Sequence, residues 1–124
     1  MSSRVERGQA TVELAFSLPV VLVALALVVQ VALVARDRVA VVHAARAAAR
    51  AAVVDPTAGA AARAARSAGG ALAHAAVRLD GDPSPGSLLG VTVTARPTAV
   101  PLVGYVVSGV QLQERLVVLG EGPG

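Results

Sequence analysis

No cysteine occurs among the 124 residues. Disulfides and thiolate metal sites are therefore excluded, and redox chemistry says nothing about compartment. Tryptophan is also absent, and Phe16 and Tyr105 are the only aromatics. Lysine is missing, so all eleven basic residues are arginine. Against eight acids they leave a formal net charge of +3. These arginines are dispersed and have no stacking aromatics among them, which argues against nucleic-acid binding. Charge is missing locally as well. Leu14 to Ala35 is a run of 22 residues without an ionisable group. As an α-helix such a run rises about 33 Å, enough to cross a hydrocarbon core of roughly 30 Å.

What is present is mostly alanine and valine, within a hydrophobic content of 55%. About 90 residues remain outside the apolar run, room for one small domain. Small side chains bury little area each, so that domain needs support from a partner or from the membrane. Pro19 lies inside the apolar run, where membrane helices tolerate it. After Ala35 the sequence RDRVAVVHAARAAARAAVV has no helix breaker until Asp55-Pro56. Arg36, His43, Arg46 and Arg50 fall on one stripe of that helix, with Val41, Val42, Ala45, Ala49 and Val53 away from it. The pattern predicts one helix from about Gln9 to Val54. Its first half is a transmembrane segment over 9–35 and its second an amphipathic helix over 36–54.

A second, Ala-rich helix is expected over 57–78, capped by Asp55 or Thr57, with Arg63, Arg66, His74 and Arg78 on one side. Gly69-Gly70 weakens its middle. DGDPSPGS reads as a loop. The period then changes to two. VTVTAR (91–96) and VQLQERLVVL (110–119) alternate and are expected to pair as an antiparallel hairpin, with Val91, Val93 and Ala95, and Val110, Leu112, Leu116 and Val118, on the buried faces. Their connection, which includes Ala99 to Val107, is unusually apolar for a loop. It is expected to contact a partner subunit or the bilayer through Tyr105, or else to complete the core. The tail GEGPG is expected to fray. The fold class is thus α+β.

Little here resembles catalysis. His43 and His74 have no Asp, Glu or Cys at helical metal spacing. Asp80-Gly81-Asp82 begins like a calcium loop, but position twelve is Val91 rather than Glu. The serines lack a visible base. No enzyme activity, cofactor, metal or small-molecule substrate is expected.

The candidate site lies at the mouth of the apolar run. Glu13 follows Gly8 by five residues, and so is the fifth residue counted from Gln9. This spacing resembles the type IV prepilin processing signal, in which a peptidase cuts after Gly. A glycine there lets the backbone extend into the peptidase without a side-chain clash. A carboxylate at the membrane edge is costly unless paired. Arg7-Gly8, Glu13, Pro19, Gln30 and the tract HAARAAARAA from His43 to Ala52 together resemble the TadE-like family, minor pseudopilins of the tight-adherence (Flp) pilus machinery. The resemblance covers about residues 7–54.

That resemblance implies a pilin-like, single-pass protein of the plasma membrane. Its leader, residues 1–8, is cytoplasmic and is removed between Gly8 and Gln9 by a prepilin peptidase. Residues 36–124 are extracytoplasmic. Glu13 serves peptidase recognition and assembly, and the partners are other pilin or pseudopilin subunits and the pilus assembly platform. One cue points the other way. Arg4 and Arg7 precede the run, whereas Arg36, Arg38, Arg46 and Arg50 follow it, and the excess of positive charge ordinarily faces the cytoplasm. The resemblance outweighs that count here. The alternatives are a small binding domain released from a signal peptide, or a single-pass membrane adaptor.

Overall fold

The computed structural model describes residues 2–70, 72 and 74–121. One helix, α1, runs from Ser2 to Val54, followed by α2 (Ala58–Gly69), β1 (Ala76–Gly81), β2 (Leu88–Ala95), a 3-10 turn (Gly104–Val107) and β3 (Leu112–Leu119). The architecture is α+β, as the sequence pattern predicts. The helix starts earlier than Gln9, because Ser2–Gly8 contains no breaker before Gly8 and simply extends it. It also continues through Pro19. Within the apolar part, Thr11 Oγ1 donates to the Arg7 carbonyl (2.9 Å) and Ser17 Oγ to the Leu14 carbonyl (3.1 Å). These hydroxyls are thereby satisfied inside the helix, as a lipid environment demands.

The second helix is shorter than expected. Thr57 is its cap, accepting from the Ala60 N–H, and Gly70 closes it at φ 54°, a left-handed conformation that glycine adopts without a Cβ clash. Residues 76–81, expected in part as helix, instead form strand β1, while Ala71 and Ala73 lie outside the described residues. The reason lies in tertiary pairing. Val77 and Leu79 alternate inward and align with Val93 and Val91 of β2, and sheet pairing overrides the helix preference of a short alanine-rich stretch. His74 accordingly sits in a turn, and Arg78 on a strand.

The sheet has the order β1-β2-β3, antiparallel throughout. The expected hairpin is present, with Val91 opposite Leu116 and Ala95 opposite Leu112. β3 begins at Leu112, however, and the expected strand residue Val110 is exposed ahead of it, its N–H donating to the Val107 carbonyl. The inward face of the sheet carries Leu89, Val91, Val93, Ala95 and Leu112. It packs against the C-terminal half of α1, where Val41, Ala44, Ala45, Ala48 and Ala52 are buried together with Ala61 and Ala65 of α2. Methyl side chains on both helices let their backbones approach closely, which is how an alanine-rich sequence still makes a dense core. The predicted tail residues 122–124 fall outside the described residues.

Candidate functional site

The N-terminal part of α1 is exposed from residue 3 to residue 25. Gly8 is among these residues, and a side chain built there would meet nothing within 4 Å. No packing reason therefore requires glycine at that position. Glu13 lies one and a half turns further on, between exposed Val12 and Leu14, and makes no ion pair among the described residues. Gly8, Gln9 and Glu13 thus form a free helical edge that belongs to none of the packed core.

The second constellation was not legible as one. Gln30 and Asp37 lie seven residues apart, two turns, on the same face of α1. Both are buried, at 3% and 0% exposure. Gln30 Nε2 donates to the Thr98 carbonyl (2.9 Å), and its Oε1 accepts from the Val100 N–H (2.8 Å). Asp37 Oδ2 accepts from the Thr98 N–H (2.6 Å). The remaining Asp37 oxygen receives the Arg36 guanidinium at 3.0 and 3.2 Å, and Arg36 also reaches the Thr98 hydroxyl (3.4 Å). Three backbone polar groups of the 98–100 segment, the Thr98 N–H and carbonyl and the Val100 N–H, are therefore held by two helix side chains, as a neighbouring strand would hold them. Burial by itself raises the Asp37 pKa. The Thr98 backbone N–H and hydroxyl, and then Arg36, outweigh it and hold the carboxyl below its ordinary value.

Further along, Arg38 pairs with Glu114 of β3 at 3.7 Å. Residues 104–107 form the 3-10 turn, and Gly104 packs so tightly on Ala99 that an added Cβ would lie 2.5 Å from the Ala99 Cβ. Part of the apolar connection is thereby folded back: Val103 and Gly104 are buried. Tyr105 remains 77% exposed. His43 and His74 are both exposed, apart from these clusters.

The family model of TadE-like protein spans Gly8, Glu13, Gln30 and Asp37. Residues 8–50 match the TadE-like family. The TadE-like segment thus takes in most of α1 and none of α2 or the sheet. The apolar helix that carries this segment is long enough to cross a membrane. Neither a curated protein nor a solved structure matches the chain. Within the TadE-like segment, Gln30 is legible in the sequence as one family feature, whereas its partners are not. The usable signal was a lone amide in an apolar run followed by a carboxylate seven residues later.

Proposed function

We propose that the protein is a pseudopilin-like structural subunit of a tight-adherence (Flp) pilus or a related secretion apparatus. In this reading α1 inserts in the plasma membrane with residues 1–8 cytoplasmic, a prepilin peptidase cuts between Gly8 and Gln9, and the domain after the span is extracytoplasmic. The observation that carries the reading is the TadE-like match together with Gly8 and Glu13 on an uncovered helical edge at the mouth of the apolar run. Glu13 then pairs with the freed amine of a neighbouring subunit, which offsets its desolvation.

The signal-peptide alternative fits the structure poorly. Cleavage near Arg36 would sever Gln30 from Thr98 and Val100 and divide α1. The adaptor alternative keeps the support of the arginine count, and a reporter fused after Gly124 that works only outside the membrane would remove it. The decisive experiment is the intact mass of the membrane-purified protein. Cleavage after Gly8 leaves 124 − 8 = 116 residues beginning at Gln9. An amino terminus at Met1 or near Arg36 would overturn the assignment.

A further inference from the structure

The segment from Pro97 to Gln113 carries no charged side chain, and Gln30 ties its first part to the end of the apolar run. The 3-10 turn consequently lies beside the last apolar turns of α1. Between them runs a groove of about 470 Å³ lined by Leu27, Val31, Val34, Val106, Val107 and Leu112, among others. Arg38 also lines the groove, at the end away from Leu27 along α1, so the apolar surface of the helix continues onto the turn across Leu27, Val31 and Val34. Beyond the groove, Leu102 is 90% exposed and Tyr105 77%. Leu102 also adopts φ 74°, a left-handed conformation that a branched side chain disfavours. The backbone strain is the same in any solvent, whereas the exposed hydrocarbon is unfavourable in water and not in lipid.

The turn is built for a drier place. The Gly104 N–H donates to the Val100 carbonyl, Val106 to Val103, Ser108 to Tyr105 and Val110 to Val107. The Ser108 hydroxyl adds a bond to the Tyr105 carbonyl. Non-helical backbone near hydrocarbon needs such internal partners. The uncharged stretch Leu14 to Val29, which ends where Gln30 is clamped, rises about 24 Å, so Glu13 and Gln30 bracket most of a hydrocarbon core of roughly 30 Å.

We propose that the turn 102–106 rests in the headgroup–acyl boundary of the bilayer that α1 crosses. Leu102 and Tyr105 give the domain a second contact with lipid, and hydrocarbon ends at Gln30 rather than at Ala35. The inference rests on the membrane-inserted reading of α1. A tyrosine suits that depth because its ring is apolar and its hydroxyl wet.

Because the chain has no cysteine, Leu102→Cys gives a unique site for a nitroxide label. The full chain is reconstituted in phosphatidylcholine–phosphatidylglycerol vesicles, with Val28→Cys and Val39→Cys labelled separately as span and domain references; all three positions are exposed on the protein. Accessibility is measured to oxygen, which partitions into lipid, and to a water-soluble nickel chelate. The expected oxygen-to-nickel ratio at position 102 lies between those of the two references and does not change with protein-to-lipid ratio. A value at position 102 equal to that at position 39, with position 28 in lipid, would overturn this inference alone. A water-accessible position 28 would overturn the membrane reading beneath it. Protection from both reagents that disappears on dilution into lipid would show that a second copy covers the turn, and so also overturn the proposal. Tyr105, the sole tyrosine in a chain without tryptophan, repeats the measurement without substitution: lipids brominated near the headgroup should quench its emission more than aqueous acrylamide does.

Discussion

Gln30 satisfies two backbone groups of a loop 68 and 70 residues away in the chain, and Asp37 a third. Gln30→Ala removes the partner of the Thr98 carbonyl and of the Val100 N–H in a part-buried contact, which costs about 0.5–1.5 kcal/mol per hydrogen bond. The expected result is faster hydrogen exchange at Val100 and a lower unfolding midpoint, with the core around Val91 still protected. Equal exchange in the variant would show that the clamp contributes nothing. Asp37 adds a pH dependence with a definite sign. Its carboxyl lies below its ordinary value in the fold, so its contribution is complete above the unfolded pKa of about 3.9. That contribution is lost as pH falls through the lower folded value. Asp37→Asn should therefore lower stability at neutral pH and flatten the loss of stability below about pH 4. A variant that keeps the full acid sensitivity of the parent would assign that sensitivity to other carboxylates.

At the scale of elements, two contacts depend on small residues. Ala48 of α1 is fully buried within the cluster it shares with Ala61 and Ala65 of α2. Ala48→Leu adds three carbons where there is no void, and overpacking of this kind costs about 1–3 kcal/mol. A drop of that size in denaturant unfolding is expected, and an unchanged midpoint would mean that the helices separate easily. Gly104 is the counterpart in the loop. Gly104→Ala brings a methyl group against Ala99, so the loop must open between residues 99 and 104 while the sheet stays intact. Faster exchange confined to residues 98–110 would report that movement, and exchange equal to the parent's throughout would show that Ala99 yields at no cost.

For the whole molecule, the exposed edge at Gly8 and Glu13 carries the proposed processing and assembly roles and packs against nothing in the fold. Gly8→Val meets no neighbour, so the variant should fold and insert like the parent yet resist cleavage, because the added side chain clashes where a glycine lets the backbone enter the peptidase. An unchanged mature terminus would refute the assignment of that site. Glu13→Ala should insert as well as the parent or better, since a charge leaves the membrane edge, but should no longer co-purify with other pilus components. Normal co-purification would reduce Glu13 to an edge residue.

The sequence by itself determined the elements whose period is unbroken. The uncharged run and the alanine tract behind it make one long helix, and the alternation over 91–96 and 110–119 makes a hairpin, formed by Leu88–Ala95 and Leu112–Leu119. The resemblance to TadE-like proteins was equally legible, because Gly8, Glu13, Pro19, Gln30 and the alanine tract all lie along that continuous helix. Tertiary structure decided what local preference left balanced. Ala76–Gly81 became a strand because an edge of β2 was available to pair with, although alanine and arginine there favour a helix. Gln30 and Asp37 became a clamp because the chain returns past them at Thr98 and Val100, a contact that no spacing within α1 encodes. The proposed end of the lipid-facing surface rests on that return, since hydropathy sees only a helix and cannot see what packs beside it.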